Sequence, residues 1–437
     1  MLAYYLELGL RSLRSSRGLT VLMLLSIAMG VAACMTTLTV YHVLSGDPIP
    51  HKSSKLFNVQ LDPKRAANRG DKSEPPEQLT RMDAENLLRD KRAVHQVMMS
   101  GAFVAVDPEG SGKPDSPPFF TAARWTSSDF FQMFETPFLY GNGWSAADDE
   151  GKARVVVIGK ETNDKLFGGI DSRGKTVRLR DKDFTVIGVL DSWRPAPHYF
   201  DVYLGSYSKP AEVYIPLQTA MEFHFGRAGN MDCWGEANGV DALSVQAECV
   251  WIQYWVQLDT PEQVKNYKDY LTQYSLTQKA AGRYQVDPNV RLRNVMEWLN
   301  FKQVVPNDTR LQVWLAFGFL LVCLTNAVGL LLAKCLRRSG EIGVRRALGA
   351  RQSSVFMQFL VEAGSLGLVG GLLGLVLTWI GLWIVRQNPS PYAALAQLDW
   401  QMLATTLGLS LLASVIAGLL PAWRACQVTP ALQLKVQ

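Results

Sequence analysis

The chain has 437 residues, 48% of them hydrophobic and 19% charged, at a mean hydropathy of +0.03. That average is high for a soluble protein and low for one lying mostly in a membrane, so it implies apolar spans joined to one large polar part. The formal net charge of +5 comes without an RNA- or DNA-binding motif, and basic residues also gather at the cytoplasmic ends of membrane helices, which leaves no nucleic-acid partner expected.

The first element is the segment 1–18, "MLAYYLELGLRSLRSS…", whose Leu2, Leu6, Leu10 and Leu13 share one helical face. It reads as an amphipathic helix on the inner membrane surface. Residues 19–44 form the first apolar run long enough to cross a bilayer. The run is too long for a cleaved leader and no A-x-A site follows it, so a retained helix is expected.

Residues 45–310 are polar and read as one external domain. "KLFNVQL" predicts a strand, "TRMDAENLLRD" a helix capped by Thr80 with Asp83 three residues on, and "VHQVMMSGAFVAV" a second strand. Near the far end "CVWIQYWVQL" predicts a strand, "PEQVKNYKDYLTQYSL" a helix with Pro261 in its first turn, and "RYQVDPNVRLR" an extended segment. These two β-α-β units can pair into one split βαβ sandwich. Between them "RVVVIGK", "KTVRLRD", "DFTVIGVL" and "EVYIPL" read as strands, and "SSDFFQMF" and "ETNDKLF" as short helices. The stretch Arg194 to Val240 is loop-rich and aromatic, which suits either contact with a ligand or loops packed on the domain, the more ordinary case.

Gly169 to Thr176 matches G-x-x-x-x-G-K-T, the spacing of a phosphate-cradling loop. Its context is wrong for that role, because a helical pattern precedes it and a strand follows. A glycine-rich turn feeding a hairpin is expected instead, and no ATP site on this chain. Six cysteines without C-x-x-C and five histidines without H-E-x-x-H leave no metal expected. Cys233 and Cys249 lie in the external segment. An oxidising compartment would permit a bridge between them, and bonded and free states both stay open because spacing does not fix their Cα separation.

Three more apolar runs follow, at 311–334, 356–386 and 401–423. They are separated by a basic segment, 335–355, and a short loop, 387–400, and the chain ends in a tail, 424–437. Arg11, Arg14 and Arg17, then Lys334, Arg337, Arg338, Arg345, Arg346 and Arg351, then Arg424 and Lys435, flank the runs on one side, while the 387–400 side offers only Arg386. The excess puts both termini and the 335–355 segment in the cytoplasm. The expected fold class is therefore an α-helical membrane domain of four transmembrane helices plus a large extracytoplasmic α+β domain, a split βαβ unit with a strand-rich insertion.

The stretch from Arg337 to Gly374, "RRSGEIGVRRALGARQSSVFMQFLVEAGSLGLVGGLLG", carries the strongest signal. It reads as a short basic helix, a break at Gly349, and a helix entering the membrane. Glu341, Arg345 and Arg346 fall at helical spacing and present one charged edge. Such an edge suits docking of a soluble partner equally with holding topology against anionic lipid headgroups. "EIGVRRALGA", then "QFLVEA", then "GGLLG" closely resembles the permeases related to MacB, the lipoprotein-release permeases and FtsX, the type VII ABC transporters. The resemblance extends to the order of one span, external domain and three spans, to the block from "FLYGNGW" to "DFTVIGVL", and to the terminal "PAWRACQVTPALQLK".

The resemblance implies a permease that couples ATP hydrolysis on a separate cytoplasmic ABC ATPase dimer, which would hold ATP and Mg, to motion of the external domain. It also implies a porter-like role for the split unit and a second permease copy or sister permease. An adaptor and outer-membrane channel on the periplasmic side would mark export, while an external wall hydrolase would mark an FtsX-like regulator or scaffold. Carried onto this sequence, the coupling residues are Arg338, Glu341, Arg345, Arg346, Gly349 and Arg351. Asn326 is expected to make a hydrogen-bonded helix contact, and Gly370, Gly371 and Gly374 to let helices approach closely.

Overall fold

A computed structural model describes residues 17–64, 74–111, 117–235, 241–387, 393–396 and 400–426. All but the last two residues of the amphipathic helix expected at 1–18, most of the 387–400 loop and the tail beyond 426 lie outside these residues. The chain divides into two units, Gly46–Val304 and the segments on either side of it. In chain order the first helix is α1 (Arg17–Ser45), 29 residues long.

The inner segment then runs β1 (Leu56–Gln60), β2 (Leu79–Thr80), α2 (Arg81–Asp90), β3 (His95–Asp107), β4 (Phe119–Thr126), α3 (Phe130–Met133), β5 (Phe138–Gly141), α4 (Ala146–Glu150), β6 (Val155–Ile158), α5 (Lys160–Phe167), β7 (Thr176–Leu179), β8 (Lys182–Leu190), β9 (Val213–Pro216), α6 (Leu217–Glu222), β10 (Arg227–Ala228), β11 (Asp232–Cys233), β12 (Cys249–Gln257), α7 (Pro261–Ala280), β13 (Arg291–Asn294) and α8 (Val295–Phe301). The sheet follows the order β13-β1-β12-β3-β4-β9-β6-β8-β5. Its first four strands are antiparallel neighbours, and β12 is inserted between β1 and β3, which α2 connects. This is the split βαβ arrangement. β12 is buried along its whole length, as a central strand covered on both faces must be.

The caps expected from sequence form. The Thr80 hydroxyl accepts from the Asp83 N–H at 3.2 Å. Thr260 and Gln263 make a reciprocal capping box ahead of Pro261. Asp83 itself is buried, where the Tyr274 hydroxyl donates to it at 2.7 Å and the Arg283 guanidinium pairs with it, tying α2 to the segment after α7.

The strand-rich insertion is not a separate sheet. β3 has 13 residues, pairs with β12 over His95–Met99 and continues along β4 from Met99 to Val106. One strand therefore belongs to both halves. β2, β4, β5, β10, β11, α4, α6 and α8 were not expected from sequence. Cys233 and Cys249 stand directly opposite each other on β11 and β12 and are disulfide-bonded, with Cα atoms 4.1 Å apart.

The aromatic segment after β8 packs on the domain. Phe130, Phe134, Tyr199, Phe200, Tyr214 and Trp255 share one buried cluster. Arg124 on β4 anchors the segment, donating to Asp201 Oδ2 at 2.8 Å with its guanidinium 5.0 Å from the Phe200 ring. Gln253 and the Tyr203 N–H donate to the other Asp201 oxygen. His198 stacks on Phe200 beside this cluster, and its Nε2 has no hydrogen-bond partner among the described residues. Burial, with Arg124 and Arg194 acting in the same direction, pushes its pKa down from 6.5 to about 3.

The other unit contains α1, α9 (Asn307–Arg337), α10 (Ser339–Ala347), α11 (Gln352–Gln387) and α12 (Trp400–Cys426). Four of these, α1, α9, α11 and α12, are long and apolar enough to cross a membrane. Small residues set their packing. A Cβ on Gly370 would lie 3.0 Å from Ile27 Cγ2, and one on Gly374 would lie 3.1 Å from Val31 Cγ1, both on α1. Gly371, on another face of α11, meets Ser410 of α12, as Gly367 meets Ser414. Gly30 of α1 lies against Cys323 of α9, whose carbonyl accepts from Ser26 Oγ at 3.0 Å. The glycines singled out from sequence thus bring helices together within one chain.

Two outcomes follow. Gly371→Leu should overpack the α11–α12 contact by about 1–3 kcal/mol and lower the thermal stability of the purified protein, whereas Gly329→Leu, on α9 with nothing within 4 Å of its Cβ position, should not. For His198 the folded pKa is depressed, so the unfolded chain binds more protons below about pH 6.5 and stability is lost as the pH is lowered. Asp149, whose carboxyl is pushed up to about 6 by burial, titrates in the opposite sense, so the comparison is with a variant. Between about pH 7 and pH 5 the wild type should lose about 2 kcal/mol more than His198→Asn, read from unfolding curves at each pH.

Candidate functional site

α9 ends and α10 begins at Arg338, which leaves the helical region at φ −102°, ψ 7°. α10 turns Ile342 and Gly343 inward. Ile342 packs with Cys335 of α9, Val355 and Phe359 of α11 and Ala422 of α12. Nine residues of helix have little stability of their own, so this cluster is what holds α10 in place. Gly349, at φ +99°, ends the turn in a left-handed conformation that a side chain would strain.

The outward face of α10 carries Glu341 and Arg345, joined at 2.6 Å across one helical turn and both exposed. A pair so solvated contributes at most about 0.5 kcal/mol, so its placement does little for the fold and leaves both groups available. Arg345 also reaches Gln358 of α11 at 3.4 Å. Arg346 and Arg338 are half-buried and each is engaged in an interaction, and Arg351 is exposed just before α11. The six residues carried over from sequence thus divide: Glu341 and Arg345 form the presented edge, Arg338 and Arg346 are partly tucked in, and Gly349 and Arg351 form the corner.

Sequence reasoning missed two features here. Val344 is 52% exposed and Leu348 83%, so the edge is apolar as well as charged. The signal was a valine and a leucine off the Ile342 face of a short helix. The second feature is Lys334 of α9 and Glu362 of α11, an ion pair with side chains 3% and 1% exposed. The signal was a glutamate inside an apolar run with a lysine at the end of the preceding one. The pair bridges the two helices that α10 connects.

Asn326 does not make the expected contact within the chain. α9 turns Leu320, Cys323 and Ala327 inward and leaves Asn326 exposed, with no hydrogen bond to its side chain among the described residues. The Gly169–Thr176 stretch is a turn. Gly168, Gly169 and Gly174 all have positive φ, the Gly174 N–H donates to the Val186 carbonyl and the Lys175 N–H to that of Ser172, and the Lys175 ammonium lies 5.0 Å from the Phe167 ring. Those amides are spent on the turn and on β8, and Thr176 opens a strand, not a helix. Among the described residues no group of three His, Cys, Asp or Glu could hold a metal.

The family model described as MacB-like periplasmic core domain matches residues 20–274, and that described as FtsX-like permease C-terminal matches residues 313–430. The macrolide export ATP-binding/permease protein MacB of Azoarcus sp. (strain BH72) is 25% identical over 436 residues, 98% of this chain and 58% of that protein. The pyoverdine export ATP-binding/permease protein PvdT of Pseudomonas syringae pv. tomato is 27% identical over 307 residues, 69% of this chain and 40% of its own length. The chain spans about half the length of these curated relatives. The crystal structure of the periplasmic region of MacB from Actinobacillus actinomycetemcomitans is 15% identical, with 59% of this chain and 96% of that one covered, at a TM-score of 0.35.

Glu362→Gln should leave Lys334 buried without its counter-charge and lower stability by about 3–5 kcal/mol. Replacing both residues by Met should recover most of that loss, since no lone charge remains. Thermal unfolding of the detergent-purified variants checks both.

Proposed function

Because the chain belongs to the family of MacB-like permeases, with a MacB-like core domain followed by an FtsX-like C-terminal region, we propose that it is the membrane permease of an export system driven by a cytoplasmic ABC ATPase dimer. The termini and α10 lie in the cytoplasm in this reading, the Gly46–Val304 unit lies in the periplasm, and the protein sits in the inner membrane as a pair of permeases. ATP binding would close the ATPase subunits, and α10 would pass that closure to the spans. Substrate would be handled by the periplasmic unit instead of crossing a membrane pore.

The observation that carries this reading is α10 itself. It is clamped on its inner face by Ile342, Val355, Phe359 and Ala422, and it presents Glu341, Val344, Arg345 and Leu348 outward. A lipid-binding basic helix would gain nothing from Glu341. A protein partner can use both charges and seat Leu348 in a pocket, as interface anchors do. Lys334 and Glu362 then supply a stiff link between the helices on either side of α10.

The first experiment is affinity purification from native membranes with mass spectrometry of stoichiometric partners. A P-loop ATPase together with a periplasmic adaptor supports export, an ATPase with a wall hydrolase supports a regulatory role instead, and absence of any ATPase overturns the assignment of α10. In the assembled complex Glu341→Ala with Arg345→Ala should reduce coupled ATP turnover roughly tenfold, about 1.4 kcal/mol of coupling, with the fold of the periplasmic unit unchanged. ATPase binding and transport both at wild-type levels would sink the idea.

A further inference from the structure

The Gly46–Val304 unit contains a cleft of about 630 Å³ between α2 and the turn–helix elements that follow β4. Its volume is that of a small-molecule site. Leu88 of α2 and Ala93, Val94 and Met98 around β3 give it an apolar lining, and Asp129, Asp149 and Glu150 line the opposite wall. Asp129 is engaged, accepting from the Gln96 N–H at 3.1 Å with His95 3.3 Å away. Glu85, also on the wall, is paired with Arg81 at 2.7 Å. Asp149 and Glu150 have no ion pair among the described residues.

Asp149 is held in place by two donors. The Ser128 N–H donates to its Oδ2 at 2.6 Å and Trp144 Nε1 to its Oδ1 at 2.8 Å. Burial nonetheless pushes its carboxyl up to about 6, with the charge of Asp129 adding to the effect. A carboxylate fixed in orientation and short of counter-charge favours a cation beside it.

A second, independent observation is Gln96. It shares with Met98 the face of β3 that lines the cleft, and it is only 4% exposed. Its Nε2 donates to the carbonyls of Leu87 and Leu88, 3.2 Å each, which fixes which end of the amide is nitrogen. Oε1 is then left without a donor among the described residues. A buried acceptor without a partner is uncommon, and a donor brought by a ligand would satisfy it.

We infer that this cleft binds a small ligand carrying a protonated amine on an apolar body, with the ammonium between Asp149 and Gln96 Oε1 and the apolar part against Leu88, Val94 and Met98. Arg89 and Lys91, at the mouth on the α2 side, bias the site against a second cationic group. The inference concerns binding alone and stands whether or not the occupant is transported.

The test uses the full chain in lipid nanodiscs, titrated calorimetrically with tryptamine and with its neutral counterpart tryptophol, empty discs serving as blank. Tryptamine should bind saturably, and tryptophol at least roughly tenfold more weakly. Asp149→Asn should weaken tryptamine by roughly tenfold or more and leave tryptophol unchanged. Val94→Trp, at a rim position 46% exposed where the fold is not at stake, should block both. Equal affinity for the two probes, no saturable tryptamine binding, or wild-type binding by both variants would overturn the inference.

Discussion

A backbone amide in hydrocarbon has nothing to bond to but its own chain. That constraint fixes four long helices in one unit, and it also fixes how they meet. Helices in lipid gain little from burying leucine against leucine, so they associate where backbones can come close and where polar groups find each other. Gly370 and Gly374 admit Ile27 and Val31, Gly371 and Gly367 admit Ser410 and Ser414, and Ser26 donates to the carbonyl of Cys323. Lys334 and Glu362 follow the same rule at higher stakes. Neither has water to turn to, so each is held by the other, and α9 and α11 are bound together by two charges that must stay paired.

Much of this was legible in the sequence, because the informative signals were local. An apolar run of bilayer length is a property of consecutive residues, and so are the Thr80 cap, Pro261 at the start of α7 and the glycine turn at 168–174. Gly349 as the stop after a basic helix was legible for the same reason. What was not legible depends on partners far along the chain. Arg124 meets Asp201 and Lys334 meets Glu362 only once register and helix rotation are set. β5 is four residues long and β4 follows a proline- and glycine-rich stretch of sequence, so neither shows a clear alternating pattern. The continuity of the sheet through β3 could not be read either, since thirteen consecutive strand residues do not announce how many neighbours they will have.

The candidate site divides along the same line. Its charges stood out because arginines cluster in the sequence; its exposed Leu348 and Val344 did not, because exposure is a property of what packs behind a helix. α10 owes its orientation to Cys335, Val355, Phe359 and Ala422, contributed by three other helices. Asn326 shows the converse. Its polarity is plain in the sequence, but the rotation of α9 about its own axis, set by Leu320, Cys323 and Ala327, decides that it points away from the rest of the chain.

The pairing of β1 with β13 has a mechanical consequence. The two strands are antiparallel, with Phe57 opposite Asn294 and Gln60 opposite Arg291. The points where the polypeptide enters and leaves the sheet therefore lie side by side at the same end of one ladder. Tension between two such tethers unzips a ladder one bond at a time, the weakest way to load it. The chain has reinforced that end: the Val295 N–H donates to the Ser53 carbonyl at 3.2 Å, Asn294 and Glu297 cap α8 reciprocally, and Ile49, Leu56, Val295, Trp298 and Leu299 share one core cluster. The two tethers meet in one clamp, so a pull that parts them must break packed side chains as well as ladder bonds.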